Sequence, residues 1–237
     1  MRVRSVNDCP TRFLLRNGRS VDASWMVGAY VNEEHPWIDQ LLREALNTGA
    51  IRLFRGYQGP PAEVFQQVFA IWDVLQRRGF RYSNIVTTSS GSVAVDSQYV
   101  RFLEDSIKTS QANCLDGSVL FAAILRKIGI DPMIVLVPGH AFVGFYLDQS
   151  HRGGYAFLET TIMGNVDLRN YSEDNSLAAF FGAQTRNQVS WKSFNMAIQV
   201  GNRTYSMNLS RFREPEARFR VIDIAAVRRA GITPISH

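Results

Sequence analysis

The spacing of apolar side chains predicts amphipathic helices in the first half of the chain. Residues 35–48 carry apolar side chains three or four positions apart, with Pro36 near the start and Gly49 after the end, as is typical of a helix. The same spacing recurs over residues 62–78 and 97–108. We therefore expect three helices, each with one buried face.

A fourth helix is predicted over residues 114–128. Nearly every position from Val119 to Leu125 is apolar, which indicates a helix surrounded by other elements in the middle of a domain. Asn113 is a suitable N-terminal cap, and Gly129 is a suitable residue for the helix end. We expect this helix to lie at the centre of the core.

Three short apolar runs follow the central helix, at residues 133–137, 141–147 and 155–160. The turns between them, Pro138-Gly139 and the polar residues 148–154, are short. Because short turns join antiparallel neighbours, we predict an antiparallel sheet packed on the central helix. The predicted fold class is therefore α+β.

The remaining segments show weaker patterns. Residues 11–32 indicate a hairpin or a loosely extended segment, and residues 219–224 indicate a strand. The polar and small residues 83–96 are typical of a loop.

A Gly- and Pro-rich stretch, residues 56–61, marks a plausible boundary. We expect an N-terminal extension over residues 1–60, as a possible partner to the core, and the main domain over residues 61–237. A chain of 237 residues is long enough to bury a core without disulfides.

The net charge of +5 comes from 26 basic and 21 acidic residues, and all but three of the basic residues are arginines. Guanidinium groups suit phosphate, so this bias can indicate nucleic-acid binding. The arginines are, however, spread along the chain. The one mild cluster comprises Arg211, Arg213, Arg218 and Arg220. The charge pattern therefore does not favour a nucleic-acid partner.

No apolar run approaches the roughly 18 residues that a membrane helix needs, so we expect no membrane span. The first ten residues contain no apolar signal-peptide core. The compartment stays open between the cytoplasm and a secreted protein whose leader has been removed, and the oligomeric state is open as well.

The chain contains two cysteines, Cys9 and Cys114, and no CxxC pair, so we expect no structural zinc site. Each cysteine is then either an unreactive residue that packs in the core or a residue that takes part in the chemistry. Cys114 lies in the first turn of the predicted central helix, where the helix dipole favours an anion, and the thiolate is the nucleophilic form of cysteine. Cys114 is therefore the candidate nucleophile.

Two residues on the following strands complete a possible triad. His140 opens the second strand after the Pro-Gly turn, and Glu159 lies in the apolar third strand. A buried carboxylate needs a partner, and a suitable hairpin register makes His140 and Glu159 cross-strand neighbours. The alternative is that Cys114 is an unreactive residue of the core and that His140 has a structural role.

These motifs resemble the transglutaminase-like superfamily of papain-type thiol enzymes, and in particular its bacterial cysteine peptidases. The segments that carry the resemblance are Asn113-Cys114, Leu125-Arg126-Lys127-Ile128-Gly129-Ile130, Gly139-His140-Ala141-Phe142, Glu159-Thr160-Thr161 and the upstream Gly79-Phe80-Arg81-Tyr82. The likeness covers roughly residues 62–165. The chain departs from the family in having Glu159 where Asp is commoner, and Phe142 where many members have Trp.

The resemblance implies a papain/transglutaminase-like core in which Cys114 is the nucleophile, His140 the general acid and base, and Glu159 the orienting acid. It implies no metal or cofactor, and a protein or peptide substrate. The oxyanion donors expected from the sequence are the backbone N–H of Cys114 and the amide of Gln98, with Gln111 as the competitor.

The substrate cleft is expected to include Asn113 and Phe142. The favoured function is a thiol hydrolase, meaning a cysteine peptidase or amidase that forms an acyl-enzyme. A transglutaminase or glutamine deamidase with the same triad is the first alternative, and a non-catalytic binding module on the same fold is the second. The substrate itself stays open.

Overall fold

The computed structural model describes residues 5–83, 94–164, 167–214 and 218–235. Its α helices are α1 (Pro36–Asn47), α2 (Pro61–Arg77), α3 (Leu103–Thr109), α4 (Cys114–Lys127), α5 (Asn175–Ala178), α6 (Ala183–Arg186), α7 (Val189–Met207) and α8 (Ile224–Arg229). Its strands are β1 (Asp8–Leu14), β2 (Ser20–Asp22), β3 (Arg81–Tyr82), β4 (Val95–Tyr99), β5 (Gln111–Ala112), β6 (Pro132–Val137), β7 (His140–Tyr146), β8 (Tyr155–Leu158) and β9 (Arg220–Asp223). Short 3-10 helices span Ser24–Tyr30, Thr160–Ile162 and Arg211–Arg213.

The main sheet is antiparallel, with the strand order β8-β7-β6-β9. The three predicted strands after the central helix are its first three members, and the predicted strand at 219–224 supplies the fourth as β9. Side chains alternate along β7, so Ala141, Val143 and Phe145 join the core that contains α4, whereas Phe142 joins a separate cluster on the other face. The α+β class with antiparallel sheets is thereby confirmed.

Helix α4 lies at the centre of the main core. Its residues from Leu115 to Leu125 are all buried, as the absence of a polar face predicts. It packs on β6 and β7 and also contacts α1 and α3. Any side chain at its N-terminus is therefore held in a fixed position relative to the sheet.

Helix α7 covers the β8 edge of the main sheet. The N–H of Phe157 donates to Oδ1 of Asn202 at 2.8 Å. A Cβ on Gly201 would lie 2.6 Å from the Phe157 backbone, so only glycine allows this close approach. This contact also brings α7 next to the chain segment that contains Glu159.

The N-terminal segment and the rest of the chain share one core. Strand β1 forms the predicted hairpin with β2 and also pairs antiparallel with β4. Val27 and Ile38, from the first 60 residues, belong to the same buried cluster as α4. The boundary at residue 60 stays a prediction.

Two predicted segments differ from the structure, because β4 contains residues 95–96 of the predicted loop as well as residues 97–99 of the predicted helix. Residues 97–99 belong to β4, and α3 begins only at Leu103, because this stretch pairs with β1 and that tertiary pairing overrides its helical spacing. Residues 84–93 of the predicted loop lie outside the described residues. None of the helices in the described ranges has both the length and the apolar character that a membrane span requires.

Candidate active site

Cys114 is the first residue of α4 and is partly buried. Asn113 caps the helix, because its Oδ1 accepts hydrogen bonds from the N–H groups of Leu115 and Asp116 at 2.9 and 2.8 Å. The N–H of Cys114, at the first helical position, has no acceptor within the helix. The thiol thus lies beside a free backbone donor at the positive end of a buried helix.

Asp116 fixes this helix terminus to its surroundings. Its Oδ2 accepts from the N–H of Asn113 at 3.4 Å, which completes a capping box, and its Oδ1 accepts from the N–H of Arg101 at 2.9 Å. The guanidinium of Arg101 lies 3.7 Å from the same carboxylate. Burial raises the pKa of Asp116, and these hydrogen bonds and the charge of Arg101 oppose that rise.

His140 lies between Cys114 and Glu159. Its Nε2 is 2.7 Å from Oε2 of Glu159. A hydrogen bond with Cys114 and then one with Glu159 raise the pKa of His140 to about 10, although burial opposes the rise. At neutral pH the ring is therefore protonated, as an imidazolium between two acidic groups.

Glu159 is held by contacts from both sides. Its Oε1 accepts hydrogen bonds from the N–H and the Oγ1 of Thr161 at 3.1 and 2.7 Å, while Oε2 faces His140. Only 4% of the residue is exposed. Both carboxylate oxygens therefore have partners, as a buried carboxylate requires.

The predicted position of Glu159 within a strand is wrong. Strand β8 ends at Leu158, which pairs with Val143, and the N–H of Glu159 donates instead to the carbonyl of Ala197 in α7. Glu159 is the N-cap of the following 3-10 helix. The carboxylate still reaches His140, from one residue beyond the paired strands.

Tyr82 is a site residue for which sequence reasoning assigned no role. It lies on β3, which pairs in parallel with β5, the strand directly before Cys114. Burial raises the pKa of Tyr82, and the charges of Cys114 and Glu159 raise it further. Its place in the resembling segment Gly79-Phe80-Arg81-Tyr82 was the one available signal.

The structure gives the surroundings of the two glutamines expected as oxyanion donors. Gln98 is on β4 opposite Cys9, and its amide donates to the carbonyl of Tyr99 at 3.5 Å. Gln111 is on β5 opposite Arg81 and is exposed. Within the described residues, neither amide is hydrogen-bonded to Cys114 or His140. The role of either glutamine as an oxyanion donor stays a prediction.

The two proposed cleft residues serve the fold. Phe142 is completely buried and packs edge-on against Phe157, so it supports the sheet beneath His140 and cannot contact a substrate. Asn113 is 4% exposed, and its carboxamide oxygen is used in the helix cap. In the described part of the chain, no group of three or more His, Cys, Asp and Glu side chains is arranged to hold a metal ion.

Comparison with known proteins adds no relative. The chain matches no protein-family model, and no curated protein or solved structure is significantly similar to it. Any assignment of function therefore depends on the geometry around Cys114, His140 and Glu159.

Proposed function

We propose that this protein is a thiol hydrolase, a cysteine peptidase or amidase, that cleaves an amide bond through Cys114, His140 and Glu159. One observation carries the proposal: Nε2 of His140 lies 2.7 Å from a buried carboxylate, and the thiol of Cys114 raises the pKa of the same ring. A histidine placed in this way can receive the thiol proton and hold it as an imidazolium.

In the proposed reaction, the thiolate of Cys114 attacks the amide carbonyl carbon and forms a C–S bond. The imidazolium of His140 gives its proton to the leaving nitrogen as the C–N bond breaks, which releases an amine and leaves a thioester on Cys114. Water then attacks the thioester while His140 accepts one of its protons. The C–S bond breaks, the carboxylic acid leaves, and the thiolate–imidazolium pair is restored.

The oxyanion formed in both steps needs hydrogen-bond donors. The backbone N–H of Cys114 is one, because no helical acceptor competes for it. We assign the second donor to the Tyr82 hydroxyl rather than to Gln98 or Gln111. The charges of Cys114 and Glu159 both influence that hydroxyl, whereas the Gln98 amide donates to the carbonyl of Tyr99 and Gln111 is exposed.

The resemblance to the transglutaminase-like superfamily supports the same reading. Helix α4, which contains the resembling helix motif, begins with Cys114, and strand β7, which contains the resembling strand motif, begins with His140. Helix α4 packs on the sheet that contains β7. A papain/transglutaminase-like core is accordingly part of the proposal.

Alkylation by iodoacetamide tests the nucleophile, with Cys9 as an internal control. Burial raises the pKa of Cys9 to about 12, so its thiol should not react in the folded protein. Cys114 should react at neutral pH faster than the same thiol in the urea-unfolded chain, and His140→Gln should remove that advantage. Equal rates in the folded and unfolded chains would refute an activated thiol.

The reaction type is tested with peptide libraries and with glutamine peptides plus a primary amine. New peptide termini that are absent with Cys114→Ala support hydrolysis. Ammonia release with incorporation of the amine would instead support the transglutaminase alternative, and ammonia release with conversion of Gln to Glu would support the deamidase. A fast-reacting thiol that yields no product with any of these substrates would contradict the proposed activity.

A further inference from the structure

Aromatic rings from four elements form a continuous row that begins at His140. The His140 ring stacks on Phe142 with centroids 6.1 Å apart, and Phe142 contacts Phe157 at 5.8 Å. Phe157 stacks on Tyr205 at 3.9 Å, and Tyr205 stacks on Phe212 at 5.1 Å. The row therefore connects the proposed site to the 3-10 helix Arg211–Arg213.

Arginines surround the far end of this row. The guanidinium carbon of Arg211 lies 5.2 Å from the ring centroid of Phe219, in cation–π contact. Arg213 is exposed, and its charge opposes the rise that burial causes in the pKa of Tyr205. Arg218 is also exposed and directly precedes Phe219.

These arginines have few acidic partners. Arg211 lies 3.6 Å from the carboxylate of Glu214, and both side chains are about half exposed. Arg213 and Arg218 form no ion pair with any acidic side chain in the described ranges. Tyr155 is 48% exposed, and its ring packs edge-on against Tyr205 with centroids 5.5 Å apart. Among the described residues, two arginines without an acidic partner thus lie close in sequence to partly exposed aromatic rings.

The basic–aromatic surface is defined here by Tyr155, Tyr205, Arg211, Phe212, Arg213 and Arg218. We propose that this surface binds an acidic segment of the polypeptide substrate and so directs a neighbouring amide bond to Cys114. This inference rests on the proposed thiol hydrolase. It names the substrate class as polypeptides with Glu or Asp several residues away from the cleaved bond, because four ring-to-ring steps separate His140 from Phe212.

Two physical arguments favour carboxylates on a peptide. A guanidinium that lies over a ring keeps its N–H edge free for a carboxylate, and aromatic rings bind the apolar parts of a peptide. Arg211 already lies 3.6 Å from the carboxylate of Glu214, so Arg213 and Arg218 suit one or two carboxylates of a peptide. A nucleic-acid site typically uses more phosphate contacts along an extended basic track.

Binding is measured with the full chain carrying Cys114→Ala, so that no probe is cleaved. One probe is a short fluorescein-labelled peptide in which Glu alternates with Leu. The second probe is a matched control peptide with Gln in place of Glu. We expect the Glu peptide to bind roughly tenfold more tightly, and this preference to shrink as salt is added. Labelled single-stranded DNA serves as a third probe.

Variants then locate the site. Arg213→Gln with Arg218→Gln should abolish the preference for Glu. The matched control, Arg43→Gln with Arg52→Gln, also removes two exposed arginines but at α1 and the segment after it, and should keep the preference. Because all four side chains are exposed, the folding of each variant can be verified by its melting temperature.

Three results would overturn the proposal: equal affinity for the Glu and Gln peptides, equal losses in both double variants, or tighter binding of DNA than of the Glu peptide. Failure here is distinguishable from failure of the proposed function. Rapid alkylation of Cys114 in the unmodified protein, together with no preference for the Glu peptide, would refute the binding role of the basic–aromatic surface. It would not contradict the proposed thiol hydrolase.

Discussion

The Nε2 atom of His140 lies 2.7 Å from Oε2 of Glu159, although Glu159 lies outside the strand that pairs with β7. The carboxylate reaches the ring because Thr161 holds its other oxygen and Ala197 accepts the backbone N–H. An acid placed beyond the strand end has to span a longer gap. Glutamate, one methylene longer than aspartate, suits that position.

Removing the charge of Glu159 should impair catalysis. In Glu159→Gln the imidazolium loses its carboxylate partner, so we expect the pKa of His140 to fall and kcat/KM to decrease on the order of 10²- to 10⁴-fold. The measurements are kcat/KM and an NMR titration of the His140 ring. Glu34→Gln, which removes an exposed acid paired with Lys127, is the control and should change neither. An unchanged His140 titration would mean that the carboxylate does not act on the ring.

The stability of the fold should depend on the protonation of His140. The ordinary pKa of histidine, 6.5, is raised to about 10 in the folded chain, so the folded state holds this proton more tightly than the unfolded state. The resulting stabilisation is complete below pH 6.5 and is lost as the pH rises through 10. Urea unfolding of the wild type and of His140→Gln should show a difference in unfolding free energy that shrinks over this window. A difference that grows with pH would contradict the raised pKa.

Tyr82→Phe tests the proposed second oxyanion donor. Loss of the hydroxyl should lower kcat roughly 10²- to 10³-fold while leaving the alkylation rate of Cys114 nearly unchanged, because alkylation builds no oxyanion. Gln98→Ala and Gln111→Ala serve as comparisons, and we expect less than a threefold change in kcat for each, about 0.6 kcal/mol. If Gln98→Ala or Gln111→Ala lowers kcat as much as Tyr82→Phe does, the assignment of Tyr82 is wrong.

Gly117→Ala should disturb the site through Thr160. A Cβ at position 117 would lie 2.9 Å from Oγ1 and 3.2 Å from Cβ of Thr160, the residue next to Glu159. The gain in helix propensity, about 1 kcal/mol, is then offset by overpacking of roughly 1–3 kcal/mol. We expect lower stability in urea unfolding and lower kcat.

Thr160→Ala should relieve the clash in the double variant. Oγ1 of Thr160 is buried and has no hydrogen-bond partner among the described residues, so its removal costs no hydrogen bond. The double variant should therefore be more stable than Gly117→Ala alone. If Thr160→Ala brings no recovery, steric contact with Thr160 is not the cause.

The local elements could be predicted because their determinants are close together in the sequence. The apolar run of α4 with its Asn113 cap, and the three runs that became β6, β7 and β8, need only neighbouring residues to specify a helix or a strand. The same local information placed Cys114 at a helix N-terminus and His140 at a strand start. Those two positions are what the sequence by itself determined about the candidate site.

The tertiary structure alone decided which side chains lie around His140 and the N-terminus of α4. The exit of Glu159 from β8 depends on α7, and the approach of Tyr82 depends on the parallel pairing of β3 with β5. Gln98 lies in β4 because that segment pairs with β1. The helical spacing of the residues around Gln98 does not indicate this pairing. Such contacts join residues far apart in the chain. Their energies come from packing and long-range hydrogen bonds, which local patterns of apolar and polar residues do not encode.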